Sequence, residues 1–174
     1  GAVIGVVIGV TVIGWLRGLP LGRLFDALAV CLPLIGVLAW VGNGAIHAAY
    51  GAEVDNLTNY PAWLVWEERD IFNTIAPRYA TQRIGAVLMA VLLLLALTLH
   101  VRGWLHGRRA PFMLALTAAV MFGIGFLRGD FAVMVGGLRQ GQWLDLLLLL
   151  SGVIGLLWRS TQRPNEGIIQ VTAP

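Results

Sequence analysis

The stretch IGAVLMAVLLLLALTLHV, residues 84–101, contains no charged residue and no polar side chain beyond Thr98 and His100. A helix of about 17–25 apolar residues crosses the hydrocarbon core of a bilayer, so this segment is long enough to span one. Lipid offers backbone N–H and C=O groups no partner, and a spanning segment must therefore be a helix or a strand of a closed barrel. Barrel strands are shorter and alternate in polarity; this run does neither and reads as a helix. Working outward, four further apolar runs cover roughly residues 1–16, 25–42, 112–127 and 142–158. Of the 174 residues 58% are hydrophobic and 12% charged, with a mean hydropathy of +0.80. That composition is too apolar for a soluble domain of this length. The expected fold class is an all-α integral membrane protein with about five transmembrane helices, residues 1–174 forming a single polytopic domain.

All twelve basic residues are arginines, and with nine acids they leave a net charge of +3. They lie between the apolar runs and form no basic stripe, so no nucleic-acid partner is expected. Arg17 and Arg23, then Arg102, Arg108 and Arg109, then Arg159 and Arg163 follow alternate spans and fall on one side. Residues 43–83 carry five acids against Arg69, Arg78 and Arg83. The positive-inside rule then puts the Gly1 end outside and the Pro174 end in the cytoplasm, with 159–174 as a cytoplasmic tail. No signal peptide is expected at 1–16, since no basic region precedes it and no cleavage site follows. Gly1, Gly5 and Gly9 share one helix face, which admits a closely packed neighbouring helix. The lone Cys31 excludes an intrachain disulfide and is expected to be a buried structural thiol.

Residues 43–83 form a long polar excursion without clear periodicity, expected to be an extracytoplasmic or interfacial segment, with Tyr60, Trp63 and Trp66 at headgroup level. It begins inside WVGNGAIHAAYG, residues 40–51, where Asn43 and His47 share a face if the helix continues, and Tyr50 follows. Polar groups at span ends are the candidates for function. Arg78, Gln82 and Arg128 fall near the outer ends of spans, and a guanidinium binds phosphate in a bidentate fork. With Asn43 and Tyr50 they are the phospholipid-headgroup candidates; the alternative is that Arg78 and Arg128 anchor helix ends in ion pairs with Asp70 and Asp130. His47 and His100 are weak metal or pigment ligands, while His100 and His106 beside Arg102 also suit a water-facing helix end. Asp145 is the acid set deepest in a span, where a structural partner or a local water suits it better than catalysis. No nucleophile stands beside a base, and neither a phosphate loop nor a metal-ligand cluster occurs, so no catalytic residue and no required cofactor is assigned.

Taken in order, several motifs resemble the prolipoprotein diacylglyceryl transferase family. RGLPLGRLFDALAVCLPLIG is similar to the stretch between a glycine-rich span and the next helix, and WVGNGAIHAAYG matches the spacing of R-x-G-N-F-x-N-x-E-x-x-G. RYATQRIGAVL resembles R-H-P-[ST]-Q-L-Y-E-A-L, and GFLRGD and RQGQWLDLLLLL resemble the last two family landmarks. Gly42, Asn43, Gly51, Arg78, Thr81, Gln82, Arg128 and Gln142 stand at matching positions. Trp40 replaces the family's first essential Arg, Ala48 a Glu, Tyr79 and Ala80 a His-Pro pair, and Gly85 a second Glu. Thr117 and Met121 fall where the resemblance implies a site Tyr and Arg. The family's essential His of an H-G-G motif would precede Gly1, and two of its seven helices would lie upstream, so the resemblance implies that fold lacking its first helices.

The resemblance implies a bacterial cytoplasmic-membrane protein whose family moves a diacylglyceryl group from phosphatidylglycerol to a lipoprotein cysteine. With the charged positions replaced, the expectation is a catalytically degenerate relative, a structural or lipid-binding subunit of a larger, photosynthetic or respiratory, membrane complex. Its expected partners are membrane lipid, retained as bound phospholipid, and other membrane subunits. The alternatives are an active transferase and a pigment- or haem-binding subunit.

Overall fold

The structure is a computed structural model that describes residues 2–161. Arg163 and most of the tail expected to be cytoplasmic lie outside the described residues, as does Gly1. Six α-helices account for most of the chain: α1 (Ala2–Leu16), α2 (Leu21–Leu28), α3 (Cys31–Ala45), α4 (Thr81–Val101), α5 (Arg109–Gly125) and α6 (Gln140–Thr161). All five apolar runs are thus helical. Leu21–Ala45, Thr81–Val101 and Gln140–Ser160 are long and apolar enough to cross a membrane, and Gly5–Leu16 and Arg109–Gly125 are shorter. The run expected over 25–42 divides at Ala29 and Val30. Pro33 has no N–H to donate to the Ala29 carbonyl, which weakens the helix at that turn.

Between 11% and 28% of each long span is buried inside the molecule. Ile35, Leu38, Val91, Leu94, Leu147 and Ile154 are instead exposed. A surface this apolar requires hydrocarbon around it. The buried core gathers Trp40, Met89, Leu92, Ala96, Leu99, Met113 and Ile124 where α3, α4 and α5 meet.

Glycines set the closest approaches. Met89 of α4 fills the space above Gly36 of α3, and Trp40 of α3 lies on Gly85 of α4. Gly152 of α6 sits on the backbone of Pro111 and Ala115 in α5. The expected glycine face of α1 behaves differently: nothing lies within 4 Å of where a Cβ on Gly5 or Gly9 would stand, and α1 packs through Gly14 on Leu21 and Leu24. Cys31 is exposed, a correction to the buried thiol expected; it opens α3 at the helix break, away from the face that meets α4.

Two antiparallel hairpins interrupt the helices. Strand β1 (Val65–Arg69) pairs with β2 (Ile75–Tyr79) in the register Val65 with Tyr79 and Arg69 with Ile75, within the segment expected to be irregular. Asp70 closes the turn, its Oδ1 accepting the N–H groups of Phe72 at 2.8 Å and Thr74 at 2.9 Å. A second, minimal hairpin joins β3 (Met134–Val135) to β4 (Leu138–Arg139). Its two-residue turn is Gly136-Gly137, both at positive φ, as the right-handed twist of a hairpin favours.

The α5–α6 seam gives a direct test. A methyl on Gly152 would stand 2.7 Å from the Ala115 nitrogen and 2.8 Å from the Pro111 oxygen. Gly152→Ala is expected to push the helices apart and cost about 1–3 kcal/mol. Gly141→Ala on the same helix meets nothing within 4 Å and should leave stability unchanged or slightly raised. Thermal unfolding of both variants in one detergent checks the pair.

Candidate functional site

The segment after α3 organises the site. Helix α3 ends at Ala45, and His47 and Ala49 both adopt positive φ, so the helix does not continue through this stretch and the condition for Asn43 and His47 to share a face is not met. Gly42 and Gly44 lower the helix propensity of this last turn. The chain then crosses beneath β2, and its carbonyls are taken in turn. Gln82 Nε2 donates to Ala48 O at 2.7 Å and Thr81 Oγ1 to Ala49 O at 2.8 Å. The Gly129 N–H donates to Tyr50 O at 2.9 Å and the Tyr79 N–H to Ala52 O at 3.1 Å. Arg78 Nη1 reaches Gly51 O in a longer contact of 3.5 Å.

Arg78 is 4% exposed. Its Nη2 donates to Glu53 Oε1 at 2.5 Å and to Asp70 Oδ2 at 3.2 Å, and the guanidinium stacks 4.8 Å from the centre of the buried Tyr50 ring. Its Nε is buried without a partner among the described residues. Arg128 grips Asp130 in a fork, Nε to Oδ1 at 2.9 Å and Nη2 to Oδ2 at 2.6 Å. Arg139 reaches the same carboxylate at 2.8 Å and also donates to the carbonyls of Arg128 and Asp130. Two guanidiniums thus share one acid. The Arg139 contribution went unremarked in the sequence because its partner lies nine positions away across a tight turn; the Gly-Gly of that turn was the available signal.

Two cavities flank Trp40, whose indole is 3% exposed and forms a wall of both. The smaller, about 170 Å³, is bounded by Met121, Arg128, Asp130, Arg139, Gln142 and Asp145. Gln142 is buried against Gly125, donating to Phe122 O at 3.2 Å and accepting the Arg139 N–H at 3.0 Å. The larger, about 430 Å³, lies under the β1–β2 hairpin and is bounded by Val41, His47, Glu67, Glu68, Gln82 and Arg83. The sequence candidates therefore divide. Arg128 faces the small cavity and His47 and Gln82 the large one, while Arg78 and Tyr50 form the network beside them. The Asn43 side chain makes no hydrogen bond among the described residues.

His100 lies at the opposite end of the bundle. Its Nδ1 is 3.1 Å from Arg109 Nη1. A guanidinium only donates, so Nδ1 is the acceptor in this contact. No group of three or more His, Cys, Asp or Glu suited to a metal occurs among the described residues.

Glu68 has a raised pKa, chiefly because burial penalises its charge; Arg83 and Arg78 oppose the shift. Its Oε1 is 3.8 Å from Arg83 Nε, and its Oε2 is buried without a partner. A carboxyl raised in the folded state contributes stability below its ordinary value of 4.5 and loses that contribution as pH climbs through the folded value. Glu68→Gln stays neutral throughout. Its unfolding temperature relative to the parent is expected to rise between acidic and neutral pH, as a pH series of melting curves would register.

Three curated proteins and one family model resemble the chain. The family described as prolipoprotein diacylglyceryl transferase matches residues 1–158. A phosphatidylglycerol–prolipoprotein diacylglyceryl transferase of Paraburkholderia phymatum is 31% identical over 59% of this chain and 36% of its own length. Proteins of the same name from Lactococcus lactis and Verminephrobacter eiseniae are 27% and 26% identical, over 79% and 97% of this chain. The chain spans 53% and 60% of those two relatives.

Proposed function

This chain belongs to the prolipoprotein diacylglyceryl transferase family, and from that premise we propose that it holds a phospholipid headgroup at the family's site without performing the transfer. It acts as a lipid-binding or structural member of a membrane assembly. One observation carries the reading: Trp40 packs on Gly85, and the family resemblance implies an Arg and a Glu at these two positions. The replacements are complementary. A Cβ on Gly85 would overlap the indole, so the ring occupies the volume that a charged pair would need.

Diacylglyceryl transfer forms a carbon–sulfur bond to the lipoprotein cysteine and breaks the carbon–oxygen bond to the phosphoglycerol group. The thiol must give up its proton, and the leaving phosphate needs cationic stabilisation. Trp40, Ala48, Gly85 and Met121 can supply neither. Thr117 brings a single hydroxyl, buried without a partner. What supports headgroup binding is the cluster of Arg128 and Arg139 on one carboxylate beside a cavity, a guanidinium pair that an anion can share.

A second reading, an active transferase, is favoured by the names of the three relatives. One assay separates the two. Full-length protein in phosphatidylglycerol vesicles, given a cysteine-bearing lipoprotein peptide, is expected to form no diacylglyceryl-peptide above the protein-free background, whereas sustained product would establish the transferase. Mass spectrometry of the gently extracted protein is expected to show retained phospholipid. Arg128→Ala should reduce it about tenfold, the loss of about 1.4 kcal/mol of binding.

A further inference from the structure

At the end of the bundle away from the hairpin, a third cavity of about 420 Å³ is bounded by Arg23, Asp26, Ala27, His100, His106 and Arg109. We propose that it is a binding site for a phosphate-bearing anion, distinct from the headgroup site beside Trp40. Arg109 is 6% exposed yet has no carboxylate within ion-pair distance among the described residues. Its Nε donates to Trp104 O at 2.8 Å and its Nη1 to His100 Nδ1, both uncharged acceptors. Its Nη2 has no hydrogen-bond partner among the described residues and is not one of the fully buried polar atoms, so it is open to a ligand.

The one acid in the cavity is already engaged. Asp26 is 4% exposed; one oxygen accepts the Gly107 N–H and the other the Ala110 N–H at 3.0 Å. It caps the start of α5 from another helix, and the first turn of that helix has less left to offer a ligand. Around this spent carboxylate, Arg23 and Arg109 face the cavity, and the Arg159 guanidinium lies against Gly22 and Gly107. A buried guanidinium with no carboxylate in contact is costly, and because Arg23 and Arg109 outnumber Asp26 in the cavity, an entering anion offsets the remaining positive charge. The planar fork of arginine matches a phosphate, and the flanking histidines add N–H donors. The same chemistry is met by a lipid headgroup at the membrane surface or by a soluble phosphate.

The test uses delipidated full-length protein in neutral detergent and three probes: dioctanoyl phosphatidylglycerol, inorganic phosphate, and dioctanoylglycerol as the phosphate-free control. Arg23 and His106 are exposed, so the double variant Arg23→Gln/His106→Gln leaves the packing intact; Arg109→Gln removes the buried charge. Saturable binding of the phosphatidylglycerol, weakened at least about tenfold in the double variant and retained in Arg128→Ala, supports the site with a lipid as its source. Binding of inorganic phosphate with the same dependence supports it with a soluble source. Binding of neither, equal affinity in the double variant, or equally tight dioctanoylglycerol overturns the proposal, as does loss of the signal in Arg128→Ala.

Discussion

The carbonyls of residues 48–52 have to find donors within the fold, and much of the structure around them follows from how they do so. A buried backbone group left unpaired costs several kcal/mol. Thr81 and Gln82 bring a hydroxyl and an amide from the first turn of α4, Gly129 and Tyr79 bring N–H groups, and Arg78 covers the remaining carbonyl. Four of the five donors come from residues 78–82 and the fifth from Gly129 just beyond α5, so the segment ties the end of α3 to β2, the start of α4 and the end of α5. Gln82, a ligand candidate by sequence, gives its amide nitrogen to Ala48 O at 2.7 Å while still lining the cavity under the hairpin.

Arg78 and Arg128 show how differently two similar arginines can be placed. Arg78 is sealed between Tyr50 and two acids, where loss of a partner would strand a buried charge. The Arg128 side chain is 30% exposed and opens onto a cavity, sharing Asp130 with Arg139. The first arrangement fixes the fold; the second leaves a partly exposed guanidinium in a cavity wall. Trp40 keeps this cavity separate from the one beneath the hairpin, and it does so with an apolar ring seated on a glycine.

Neither hairpin was legible in advance, for physical reasons. Strand β2 contains Pro77, which removes a ladder donor and speaks against a strand; it is accommodated because the Pro77 carbonyl accepts the Val54 N–H, bringing a third segment alongside. The two-residue strands β3 and β4 are too short to show alternation, and the Gly136-Gly137 turn alone marked them. The helix break before α3 was carried by Pro33, a residue frequent enough in membrane helices to pass without notice.

By itself the sequence determined that this is a helical membrane protein, because long uncharged stretches have no other stable form in lipid. It also determined the family, through the order of short motifs around residues 40–51, 78–88 and 125–150. The tertiary structure alone decided which polar groups remain available. That depends on partners distant in the chain: Asp26 accepts the backbone N–H groups of residues 107 and 110, and Arg109, buried at the same cavity, has no direct ion pair among the described residues. Sequence spacing records which side chains exist, whereas the hydrogen bonds and ion pairs they have left to make are set by what the fold brings into contact.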